Sequence, residues 1–303
     1  MQHKNIIENL IEYKNIPHAQ SYLICSEDSL LCELFIKVYI NSLTGKEHSA
    51  DIIELPTASK VTVADIDYLT SSALISPLEL SHKFYILKNA DTMQEAAANK
   101  LLKTLEEPPP STKIFIVCSN ERVVLPTIRS RCAVINLNAL NEDALQKAIE
   151  STAASVTAAN YTLAREASLG SLSRAQSILA GDYDQIFDTV FDMLLYMKNS
   201  SQILAYSSKF AAQKDNLDKL VWALNLVLHD TAKYHIGTEL TLKSRRSDTA
   251  QIAQFYCIDT IMRLALVFIH TQKRLATHGN TQSIIDELLF KILEVRQKCN
   301  KQK

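Results

Sequence analysis

Three short stretches, Tyr22 to Cys25, Phe84 to Leu87 and Ile114 to Cys118, are apolar without alternation. That pattern predicts strands covered on both faces, as in a parallel sheet. Between the second and third, Ala98, Leu101, Leu102 and Leu105 recur at helical intervals. Thr92 and Glu95 stand at the spacing of a capping box, and the prolines from Pro108 prevent the helix from continuing. Strand, helix and strand make a parallel βαβ unit, so a site is expected beyond the carboxyl ends of the strands, at Lys88 to Asp91 and Ser119 to Arg122. Ahead of this unit, Ile6 to Tyr13 suggests a short amphipathic helix. Leu31, Leu34, Phe35, Val38 and Tyr39 predict a helix after the first strand, and Val61, Val63, Ile66 and Leu69 predict one over 60–72.

From Asn141 the pattern changes to helices rich in alanine and serine. Asn141 can cap a helix reaching about Thr152, and Tyr161 to Ser168 forms another that stops at Gly170. Beyond Tyr183 the long apolar-periodic stretches are Ile186 to Met197, Leu217 to Tyr234, Ile252 to Ala276 and Ile284 to Val295. Trp222 with Leu224, Val227 and Leu228 reads as bundle core, and Lys243, Arg245 and Arg246 as a solvated basic turn. The fold expected is an α/β parallel-sheet domain over 1–139, a small helical domain over 140–182 and an all-α domain over 183–303.

Composition narrows the function. A net charge of −1 over 303 residues is not that of a protein that coats DNA unaided. No run of eighteen apolar residues occurs and the start MQHKNIIENL has no apolar signal core, so a cytoplasmic protein is expected. The six cysteines, Cys25, Cys32, Cys118, Cys132, Cys257 and Cys299, show no C-x-x-C spacing and read as small buried hydrophobes rather than metal ligands.

Three segments carry a resemblance. Asn89-Ala90-Asp91, the run from Ala96 to Pro109 (AAANKLLKTLEEPP) and the run from Leu125 to Cys132 (LPTIRSRC) are similar, in this order, to the core of bacterial clamp-loader AAA+ subunits. The resemblance implies a RecA-like AAA+ domain followed by a small helical lid and a helical collar that holds five subunits together. It makes the end of the second strand the Walker B site, places Ser119 and Asn120 in the sensor 1 region, and makes Ser130-Arg131-Cys132 the SRC motif. Arg131 would then be an arginine finger, reaching ATP bound by the neighbouring subunit. Gly170 to Ala175 resembles the sensor 2 segment, with Arg174 as its arginine and a structural ion pair as the role expected of it here.

The same alignment exposes losses. An ATP-binding member carries G-x-x-x-x-G-K-[ST], because backbone N–H groups wrap the phosphates, lysine neutralises them and a hydroxyl holds magnesium. This chain has Cys25-Ser26-Glu27-Asp28-Ser29-Leu30-Leu31-Cys32, which puts Cys25 and Leu30 at the glycines, Leu31 at the lysine and Cys32 at the hydroxyl. Glu27 and Asp28 would repel phosphate. Lys88 stands where a magnesium carboxylate is needed, and the surviving Asp91 is expected at the start of the following helix, favoured by its dipole. The four-cysteine zinc module of many relatives is absent between Leu43 and Ile52, where His48 alone cannot make a tetrahedral site.

No bound cofactor and no ATPase activity of its own are therefore expected. The resemblance implies a non-catalytic subunit of the DNA polymerase III assembly. Its expected partners are gamma/tau and delta subunits and, through the complex, the sliding clamp and primed DNA. The competing readings are an ATP-hydrolysing gamma/tau-type motor, which needs the missing loop, and a helical scaffold with no role in replication, which leaves the ordered motifs unexplained.

Overall fold

A computed structural model of the chain describes residues 16–56, 60–152, 158–181, 183–212, 217–276 and 281–301. The helix expected over Ile6 to Tyr13 lies outside the described residues. The contacts of the chain divide it into one unit of residues 1–154 with 170–174 and another of 155–169 with 175–303.

The first unit holds a parallel sheet in the order β2-β3-β4-β1-β5, formed by Ser21–Cys25 (β1), Ile52–Leu55 (β2), Lys83–Leu87 (β3), Thr112–Cys118 (β4) and Ala133–Asn136 (β5). It is a five-stranded, wholly parallel sheet, as the α/β reading expects. β1 and β3 are buried at every residue, which is why Tyr22 to Cys25 and Phe84 to Leu87 run without a polar alternation. The edge strands β2 and β5 are only partly covered, and the apolar pattern did not single them out as strands. Helices α1 (Ser29–Thr44), α2 (Val63–Ala73), α3 (Glu95–Glu106), α4 (Pro126–Arg129) and α5 (Glu142–Thr152) complete the unit.

One helix start differs from expectation. Residues Ala90–Thr92 form a 3₁₀ turn, so α3 starts only at Glu95, and its N-cap Gln94 makes no side-chain capping bond. The Thr92 hydroxyl instead donates to the Asn89 carbonyl at 2.8 Å. A reciprocal capping box does exist at α2, between Thr62 and Asp65. The Asn141 cap is present, its Oδ1 accepting from Ala144 N–H at 2.8 Å. Gly170 has φ 81°, and a Cβ there would lie 2.4 Å from the Leu140 carbonyl oxygen, so only glycine fits.

The second unit is helical: α6 (Ala158–Ala167), most of α7 (Leu172–Ala180), α8 (Tyr183–Tyr196), α9 (Ser200–Ala212), α10 (Leu217–Ile236), α11 (Arg246–Ala253), α12 (Ile258–Ala276) and α13 (Thr281–Lys301). The helix expected from Ile252 to Ala276 is broken, with axes at 110° either side of the break. Tyr256, fully buried, sits in the break and donates its hydroxyl to the Leu194 carbonyl at 3.4 Å. Arg245 is no solvated turn residue: it pairs with Asp188 at 2.7 Å and lies over the Phe191 ring. Arg296 of α13 is 3% exposed and donates to the carbonyls of Leu194, Leu195 and Met197 at 2.8, 2.8 and 2.9 Å. Its guanidinium stacks 4.4 Å from the Phe255 ring. It thereby satisfies the open carbonyl end of α8. Among the described residues no single helix is long and apolar enough to cross a membrane.

Candidate functional site: a nucleotide loop filled by its own side chains

The loop after β1 is closed from within. Cys25 and Leu31, at the first glycine and the lysine of an ATP-binding loop, are 6% and 3% exposed and belong to the core. Cys32 is fully buried, and burial pushes its thiol up to about 12. The Cys25 and Cys118 sulfurs, at paired positions on β1 and β4, lie 3.3 Å apart. The bond between them pushes the Cys118 thiol up and favours ionisation of Cys25. Cys25, Cys32, Cys118 and Cys132 are in no disulfide.

Asp28 does not merely repel anions there; it occupies the start of α1. Its Oδ1 accepts from the Leu30 and Leu31 N–H groups at 3.1 and 3.2 Å. The same carboxylate accepts from the N–H groups of Leu172 (2.5 Å) and Ser173 (3.2 Å), from the Ser171 hydroxyl (3.1 Å) and from the Ser173 hydroxyl. Burial alone would raise its pKa, but the bonds from Ser173, Leu31 and Leu172 outweigh that and hold it below the usual carboxylate value. The loop remnant and the segment resembling sensor 2 thus meet at Asp28. Arg174, half-buried in the first turn of α7, enters through its N–H, which donates to the Ser171 hydroxyl at 3.3 Å.

At the end of β3, the Lys88 ammonium lies 2.7 Å from Glu33 and 2.9 Å from Glu54. Burial would lower its pKa, and the two carboxylates reverse this, so it stays protonated. Asp91 is not at the start of α3. It lies in the preceding 3₁₀ turn, and its carboxylate accepts from Ser119 N–H at 2.9 Å, joining the ends of β3 and β4. Asn120 closes the adjoining turn, its Oδ1 accepting from Arg122 N–H at 2.9 Å. Among the described residues no group of three or more His, Cys, Asp or Glu could hold a metal ion.

The SRC segment is a separate feature of the same unit. Pro126 opens α4, where its missing N–H is not needed, and Ser130 caps the other end. Cys132 is half-buried, with its thiol pushed up to about 12 by burial. Arg131 is exposed. Its Nε and Nη2 donate to Glu106 Oε1 at 2.9 and 2.5 Å, and its Nη1 donates to the Thr127 carbonyl at 2.9 Å. With Nη1 also donating to the Ser130 hydroxyl at 3.3 Å, the guanidinium is fixed through all three nitrogens, and Nη2 keeps one further N–H for another acceptor. No sequence pattern marks Glu106 as the partner of Arg131. It lies inside the LLKTLEEPP run, but the pairing depends on the approach of α3 to α4.

The sheet order, with the Asp28 loop at the end of β1, is AAA+-like in fold. Residues 41–141 match the family described as DNA polymerase III, delta subunit. Over 209 residues the chain is 28% identical to DNA polymerase III subunit delta' of Escherichia coli K12, covering 67% of this chain and 61% of that protein. It is 33% identical over 121 residues to DNA polymerase III subunit gamma of Buchnera aphidicola subsp. Schizaphis graminum, covering 38% and 33%. These matches make the chain similar to clamp-loader subunits of DNA polymerase III. It spans about a third of that gamma subunit and under two thirds of that delta' subunit. A Thermotoga maritima structure titled as a DNA polymerase III gamma subunit-related protein shares the fold, with TM-score 0.56 at 16% identity over 97% of this chain and 99% of that one.

Proposed function

We propose that this chain is a delta prime-type subunit of the clamp loader: a cytoplasmic member that neither binds ATP productively nor hydrolyses it. It works with gamma/tau and delta subunits to load a sliding clamp onto primed DNA. The carrying observation is the filled loop, in which Asp28 takes the N–H groups that a phosphate needs and Leu31 is core in place of the lysine. That favours the reading over a gamma/tau-type motor, despite the likeness to gamma subunits. On this reading residues 1–139 are the AAA+ domain, 140–182 the lid and 183–303 the collar.

Arg131 acts in trans as the arginine finger. Phosphoryl transfer relies on charge stabilisation, so a guanidinium supplied from next door completes a neighbouring active site. Ser130 and Cys132 set its place at the edge of the sheet domain. The test is DNA-dependent ATPase and clamp loading on complexes reconstituted with gamma/tau and delta. Arg131→Ala is expected to assemble normally and to lower hydrolysis at the faced motor site by on the order of 10³. Wild-type rates from an assembled Arg131→Ala complex overturn the finger assignment.

A further inference from the structure

Asp28 is 6% exposed, yet its carboxylate is hydrogen-bonded by the first N–H groups of two helices, α1 and α7, and by two serine hydroxyls. Convergent backbone N–H groups and hydroxyls on a buried oxyanion are what a protein presents to phosphate. Here the oxyanion belongs to the chain. We propose that Asp28 is a built-in ligand of the anion site, standing in for a nucleotide phosphate and holding the start of α7 on the β1–α1 loop without nucleotide.

The companion charge is Lys88. Its ammonium lies between Glu33, next to the position of the missing hydroxyl, and Glu54 on the neighbouring strand. A nucleotide would bring negative phosphate and positive magnesium to such a loop. The chain supplies a negative group at the helix start, met by backbone N–H groups, and a positive group at the strand end, met by two carboxylates, so each charge has partners with no ligand. The Ser171 to Ser173 segment, which in a nucleotide-dependent subunit would answer to bound phosphate, is fixed in one arrangement. The inference rests on the fold and on these contacts, and it stands whether or not Arg131 acts in trans.

Chemical rescue of the full chain tests it, with inorganic phosphate and sulfate as probes. Asp28→Ala removes the carboxylate and leaves its donors facing an opening. Its melting temperature is expected to fall by about 5 °C. Millimolar phosphate or sulfate should restore about half of that loss over a sodium chloride control of equal ionic strength, while the wild type gains nothing beyond the control. If Asp28→Ala does not fold, Asp28→Ser leaves room for the anion and carries the same comparison. Asp28→Asn fills the space and should show no anion rescue. A small variant as stable as the wild type, a loss that neither anion relieves, or equal stabilisation of the wild type would each overturn the proposal.

Discussion

The loop at Cys25 to Cys32 and the edge at Ser130 to Cys132 belong to one sheet unit, and each resembles a place where clamp-loader subunits meet phosphate. Their fates differ by burial. Asp28 is almost wholly enclosed and its oxygens are saturated by groups of its own chain, so nothing remains for a ligand to do. Arg131 is exposed, and although Nε, Nη1 and Nη2 each donate to a neighbour, Nη2 keeps one N–H to spare. Enclosure turns a charged group into structure, because an unpaired buried charge is too costly to keep, whereas half-solvated charge retains capacity for a partner.

Arg131→Lys should break the contrast most visibly. An ammonium lacks the planar fork that holds Glu106 on one edge and presents N–H groups on another. Reconstituted complexes carrying it should keep less than about 1% of the hydrolysis at the faced motor site. Near-normal rates would make Arg131 a simple point charge.

Acid should act on the loop next. The folded pKa of Asp28 is depressed, so its stabilisation is complete above the unfolded value of about 3.9 and is lost as pH falls through the folded value. Asp51, which is 1% exposed and accepts from the N–H groups of Leu78, Glu79 and Leu80, is depressed in the same way. Urea melts below pH 4 should show declining stability with a flatter slope in Asp28→Asn. An unchanged slope would mean that Asp28 is no more acidic folded than unfolded.

Glu106→Gln is expected to change stability by less than about 1 kcal/mol, since the pair with Arg131 is largely solvated. If Arg131 depends on Glu106 for its aim, the substitution lowers hydrolysis in the complex but has no effect when added to Arg131→Ala. Smallest of all is the response to repairing the loop. Leu30→Gly, Leu31→Lys and Cys32→Thr together should create no ATP affinity in equilibrium titration with magnesium, because Asp28 and Lys88 still hold the charges. Saturable micromolar binding would show that the lost consensus residues alone had closed the site.

The parts legible in the sequence were those whose cause is local. β1, β3 and β4 announced themselves because burial on both faces forces a continuous apolar run. β2 and β5 sit at the sheet edges with mixed exposure, and α9 was passed over as well. The break at Tyr256 is hidden because one apolar period runs through it, and a long-range bond to Leu194 decides the geometry. In the site, the missing glycines, lysine and hydroxyl were readable position by position. The occupant was not, since the serines that complete the Asp28 cluster lie 143 and 145 residues further on. The place of Asp91 is hidden for a related reason: its N–H donor, Ser119, lies just past the end of another strand.

Arg296 also imposes an order in time. The carbonyls it satisfies at the end of α8 belong to residues made 99 to 102 positions earlier. At typical synthesis rates the ribosome needs about 5 to 20 s to cover that distance. Throughout that interval the end of α8 must rely on water or a chaperone, and the helical unit can close only once α13 has emerged.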